Sequence, residues 1–187
     1  MNRHVVLYQQ QRGSGILELV LIGILISVLM VIFMGRILNL SVAVEREAMH
    51  LTLNNLNSAL NIEALTLIVQ NKQKAIADWE GGNPMVLIDP PPIQYKGSFS
   101  QPNPKKQTPG SWFFDEEQSL LIYRINNIEQ FGGGRAIPER VRFKVRPTFE
   151  DLNEDGNKNE DEQFTGLRLE PLDQYQWLSE KNDRVIN

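Results

Sequence analysis

No cysteine occurs anywhere in the 187 residues. That excludes a thiol nucleophile and also a disulfide, the clamp that small exported domains ordinarily use. Any fixed loop in this chain is therefore held by other means. Histidine is nearly absent, with only His4 and His50. One lies in the N-terminal thirteen residues and the other in a long helical pattern, so neither can serve as a base in the C-terminal part. No serine sits in a nucleophile-elbow pattern, and the paired acids Glu116 and Glu117 fall at a turn tip. The chain reads as a non-enzyme. Nineteen Lys and Arg face twenty-three Asp and Glu without a basic patch, which argues against a nucleic-acid surface. Proline and glycine are missing from Ile37 to Trp79, so nothing there breaks a helix.

What is present starts with an apolar run, SGILELVLIGILISVLMVIF, from Ser14 to Phe33. At 1.5 Å per residue, about 20 helical residues span the ~30 Å hydrocarbon core of a bilayer. Between Gly15 and Gly35 the only charged residue is Glu18, and Ser27 is the only other polar one. An isolated carboxylate costs about 2.5–3.5 kcal/mol at the centre of such a helix, and less near its edge. A carboxylate reaching back to the headgroups is the plain reading of Glu18; a dedicated cationic partner is the sharper one. The preceding segment, Met1 to Gly13, holds Arg3, Arg12 and His4 and no acid. It lacks the apolar core of a secretory signal. Its positive charge belongs on the cytoplasmic side, which sends the C-terminal part across as a single-pass protein.

Arg12-Gly13 followed by Ser14-Gly15-Ile16-Leu17-Glu18-Leu19-Val20 resembles the prepilin cleavage and methylation site of type IV pilins and type II secretion pseudopilins. The resemblance covers about the first third of the chain. It implies cleavage by a prepilin peptidase between Gly13 and Ser14, with N-methylation of Ser14 and Glu18 at the fifth mature position. The family usually has Phe or Met where this chain has Ser14. In the family, the carboxylate of the fifth residue meets the free amine of a neighbouring subunit. Breaking such a buried pair costs about 3–5 kcal/mol, so Glu18 would set the register of assembly. The resemblance further implies an α+β fold, a long N-terminal helix packed on a small antiparallel β-sheet head in the shape of a ladle. The implied partners are other pilin or pseudopilin subunits, the peptidase and an inner-membrane assembly platform. The implied location is the bacterial inner membrane with the head in the periplasm, and then a pilus or pseudopilus. Within that class a minor pilin or pseudopilin is expected. The reading from another class is a signal-anchored periplasmic calcium-binding domain that does not polymerise.

Met49, Leu53, Leu56, Leu60, Ala64 and Leu67 recur at steps of three or four, one stripe of a helix. Glu45, Arg46, Glu47, Asn54, Asn55, Asn61 and Gln70 read as the wetter residues between them. The spacing predicts helix through Trp79, with Gly81-Gly82-Asn83-Pro84 as the stop. The chain thus divides into a leader (1–13), a transmembrane or filament-core helix (14–35), an amphipathic stalk helix (36–80) and a β-sheet head (81–187). Prolines make 84–110 a surface loop. SWFF and LLIYRI around Glu116–Ser119 read as a hairpin, with Trp112 and Tyr123 as a buried cross-strand pair. An adhesin stacking sugars on those two rings would need them exposed. Val141 to Arg146 and Gly166 to Glu170 alternate as strands with one wet face.

Asp151 to Glu162, DLNEDGNKNEDE, matches the calcium-loop pattern at Asp151, Asn153, Asp155, Gly156 and Glu162. Alternate residues of such a loop point hard oxygens at one centre, with Asn157 offering a carbonyl and Asn159 acting through a water. Six acids crowd these twelve positions, and a divalent ion would relieve their repulsion. The flanks read as strands rather than the helices of an EF-hand, and a hydrophilic hairpin tip is the plain alternative. Pseudopilins that hold calcium in this region make Ca²⁺ compatible with the resemblance. Tyr175, Trp177 and Leu178 are the residues of the tail placed to dock.

Overall fold

The computed structural model describes residues 14–132, 139–154, 156, 158–159 and 162–177. The leader, including Gly13, lies outside them, as do Asp155, Asn157 and Leu178. Two compact units are distinguished, Met1–Ser41 and Val42–Asn187.

One helix, α1, runs from Ser14 to Val69. Its part in the first unit is exposed from Gly15 to Ile37, and it is long and apolar enough to cross a membrane. Ser27 Oγ donates to the Gly23 carbonyl at 2.8 Å, so this hydroxyl is satisfied within its own helix.

The helix stops ten residues before the expected place. Asn71 adopts φ +57°, its N–H donates to the Ile68 carbonyl and the Lys72 N–H donates to the Leu67 carbonyl. That pair of bonds is a Schellman cap with Asn rather than Gly at the left-handed position. Gln73–Trp79 continues only as a 3₁₀ helix. Gly81, the expected stop, has another duty. It sits at φ +67° with its N–H on the Val145 carbonyl, and a Cβ there would meet Ser119 Cβ at 2.9 Å.

Among the described residues seven strands follow, β1 (Tyr95–Phe99), β2 (Ser111–Asp115), β3 (Leu120–Arg124), β4 (Phe131–Gly132), β5 (Arg140–Phe149), β6 (Phe164–Pro171) and β7 (Gln176–Trp177). They form a five-stranded sheet ordered β1-β2-β3-β5-β6 and a two-stranded sheet of β4 with β7. The class is α+β. The larger sheet is mixed rather than wholly antiparallel, because β1 pairs parallel with β2. The proline-rich 84–110 segment thus holds a strand. Gly97, at φ +101°, interrupts its register and hides the alternation that would have announced it. The stretch from Ser100 to Gly110 is long enough to return the chain for parallel pairing.

The β2–β3 hairpin has the expected register, with Trp112 opposite Tyr123. Asp115 accepts the Glu117 and Gln118 N–H groups at 3.1 Å and shapes the turn. The two rings lie 4.7 Å apart and are 1% and 3% exposed, which removes a sugar-stacking adhesin surface on them. Within the second unit, Val42, Met49, Leu56, Leu60 and Ala64 of α1 share one core with Trp112, Leu121, Tyr123, Val141, Phe143, Val145, Leu167 and Leu169. Arg142, Lys144 and Arg146 alternate outward as expected. Trp177 is fully buried edge-on to Phe131, and Tyr175 stacks on that same ring at 5.6 Å.

Candidate functional sites

Three places carry chemistry, and the first is the start of α1. Glu18 lies in the part of α1 that is described from Ser14 onward, exposed, with no hydrogen bond or ion pair among the described residues. With Ser27 satisfied internally, Glu18 is the one polar side chain between Gly15 and Phe33 that still needs a partner among the described residues.

The second is the loop between β5 and β6. The Gly156 N–H donates to Asp151 Oδ2 at 2.8 Å, with Gly156 at φ +76°. Glu162, 4% exposed, accepts the Leu152 N–H at 2.9 Å on Oε1 and the Asn159 N–H at 2.8 Å on Oε2. First, sixth and twelfth positions of the pattern therefore organise the loop backbone. Lys158 donates to the Asn159 carbonyl and lies 4.9 Å from the Phe164 ring centre, so its ammonium is tied to the loop's own flank. The donor set is oxygen throughout and suits a hard cation. Among the described residues no three acids or histidines converge on a metal-sized centre. Asp155 and Asn157 are not among those residues.

The third place was missed by sequence reasoning. Glu45, read as a wet residue, is 8% exposed. Its Oε1 accepts Tyr123 Oη at 3.0 Å and the Asn126 N–H at 2.7 Å. Its Oε2 accepts the Asn127 N–H at 2.9 Å and Asn127 Nδ2 at 2.6 Å. Burial, and then the neighbouring carboxylate, push the Tyr123 phenol well above its usual range. A signal existed: the apolar stripe continued back one turn from Met49 lands on Glu45 and then Val42. A charge on a core stripe points to a buried acceptor.

A further ion pair closes the outer face. Asp173 accepts both Arg142 Nη2 at 2.7 Å and Arg142 Nε at 2.9 Å, and also the Arg142 backbone N–H. The side-chain hydrogen bond from Arg142 holds the Asp173 carboxyl below its ordinary 3.8 against the opposing effect of partial burial. A depressed folded pKa adds stability above the unfolded value that is lost as pH falls through the folded one. The stability difference between wild type and Asp173→Asn is expected to be constant above about pH 5 and to shrink below about pH 4. Urea titrations of both proteins across that range check it; a difference that grows on acidification contradicts the pairing. The pair lines a cleft of about 470 Å³ together with Lys105, Glu139 and Arg140.

Compared with protein-family models, curated proteins and solved structures, the chain matches none.

Proposed function

We propose that the chain is a structural subunit of a type IV pilus-like or type II secretion filament, a minor pilin or pseudopilin rather than an enzyme. On this reading a prepilin peptidase cuts after Gly13, Ser14 is N-methylated, and α1 anchors the subunit in the inner membrane with the second unit in the periplasm. Assembly then places the Glu18 carboxylate beside the amine of a neighbouring subunit, and the family's ladle describes the subunit. The observation that carries the reading is the apolar part of α1. From Gly15 to Ile37 the helix is exposed, and it carries one carboxylate, Glu18, in need of a cation. Intact mass and N-terminal peptide analysis of the membrane-extracted protein tests it. A chain starting at methylated Ser14 is expected. A chain that keeps Met1 to Gly13 leaves the signal-anchored, non-polymerising domain as the better account.

We also propose that the β5–β6 loop takes calcium through Asp151, Asn153, Asp155, Asn157, Asn159 and Glu162. The support is the backbone organisation around Asp151, Gly156 and Glu162, in a chain that has no disulfide to fix the loop. Bound only to the folded state, the ion adds about 2.7 kcal/mol at a hundred times its Kd. Calcium titration with thermal unfolding is expected to raise the melting temperature of the wild type and not of Asp155→Asn. Equal response to calcium in both proteins, or no response in either, refutes the site.

A further inference from the structure

Helix α1 bears a second stripe within the Val42–Asn187 unit. Val44, Ala48, Leu51, Asn55, Ser58, Ile62, Leu65 and Val69 follow one another at steps of four and three without a break. All eight are exposed. At 100° per residue the stripe lies opposite the one that holds Met49, Leu56 and Leu60 in the core. Its five larger aliphatic side chains, Val44, Leu51, Ile62, Leu65 and Val69, are 58–80% exposed. A shallow depression of about 320 Å³ lies along Ile62, Leu65 and Val69.

Lipid does not account for this stripe. In sequence the stripe starts eleven residues after Phe33, and the apolar run up to Phe33 is by itself long enough for the ~30 Å hydrocarbon core. The spacing is that of a heptad seam. Ala48, Asn55, Ile62 and Val69 occupy the a positions, and Val44, Leu51, Ser58 and Leu65 the d positions. β-Branched residues at a with Leu at d favour two parallel strands, and a single Asn at an a position fixes register by meeting its own copy. Asn55 stands there, near the middle of the seam. The area sets the strength. The five aliphatics offer on the order of 400 Å² per copy, about half of a standard interface. Free copies would pair weakly, whereas copies held in one membrane face each other at an effective concentration of ~1 mM.

We infer that this stripe is a parallel pairing surface for a second copy of the chain, registered by Asn55. It goes beyond the filament reading, because two anchored chains can pair through it before or without polymerisation.

The absence of cysteine makes the test direct. Full-length Leu51→Cys and Leu65→Cys proteins, each in membrane vesicles under mild oxidation, are expected to form self-dimers at least tenfold faster than Asn61→Cys, roughly the rate gap of a 1.4 kcal/mol preference. Cross-linking at both positions, two heptads apart, supports parallel register. In the Leu51→Cys background, Leu65→Asp is expected to cut dimer formation at least about tenfold without shifting the unfolding temperature, since Leu65 is exposed. The Glu18→Ala variant still cross-links if the pairing belongs to the stalk itself. Rates no higher than Asn61→Cys, bonds formed only to other proteins or to cysteines placed between Gly15 and Phe33, or loss of cross-linking in Glu18→Ala would each overturn the inference.

Discussion

Replacing Glu45 by alanine is expected to destabilise the second unit by about 3–5 kcal/mol, because it strips the acceptor from several buried donors at once. Four hydrogen bonds of 2.6–3.0 Å end on this carboxylate. Bonds to a charged acceptor contribute about 1.5–3 kcal/mol each, and they are not additive within one network. With the carboxylate cut away, the backbone N–H groups of Asn126 and Asn127 lose the acceptor they hold, so water must enter or the turn must move. Two milder variants separate the contributions. Tyr123→Phe removes a single donor and should cost about 1 kcal/mol. Glu45→Gln keeps the shape but replaces one acceptor oxygen by an amide donor facing Asn127, and should fall between the two. Urea unfolding of the full chain in detergent measures all three. A Glu45→Ala protein within 1 kcal/mol of wild type would mean that the network contributes little to holding α1 against β3.

Glu18→Ala is expected to abolish filament assembly while leaving membrane insertion intact. The two effects have opposite signs for a physical reason. In the bilayer the carboxylate is a cost of up to about 2.5–3.5 kcal/mol, so its removal favours insertion. In the proposed filament, where lipid has left the helix bundle, the same carboxylate would meet an amine, and losing one member of such a buried pair would cost about 3–5 kcal/mol per subunit. Repeated at every subunit, that loss is ample to stop growth. Fractionation of the variant into membrane and sheared-filament pools reads both quantities together. Undiminished filaments would sink the role of Glu18 in register, and a membrane pool that also disappears would indicate misfolding rather than failed assembly.

Much of the fold was legible. The apolar run, the Met49–Leu67 stripe, the β2–β3 hairpin with Trp112 opposite Tyr123, and the alternation of β5 and β6 all follow from the periods 3.6 and 2. These are strong signals because each repeats over several residues. The misses were single-residue events. Asn71 ended the helix in the left-handed conformation, which Asn adopts more readily than most residues but without the certainty of Gly-Gly-Asn-Pro downstream. Strand β1 was masked by Gly97 and its proline flank. Glu45 was classed by its charge, when its place on the stripe was the better guide.

By itself the sequence determined that one helix is long and apolar enough to span a bilayer, that a lone carboxylate sits near its start, and that an α+β unit follows without cysteine. These depend on composition and local period, which the chain carries wherever it folds. Only the tertiary structure showed that a second apolar stripe on α1 stays at the surface, opposite the stripe that puts Met49, Leu56 and Leu60 in the core. The same packing turned Glu45 from a solvated acid into a buried acceptor, because the turn after β3 brings the N–H groups of Asn126 and Asn127 to it across some eighty residues of chain. Contacts at that separation have no period for a sequence to display.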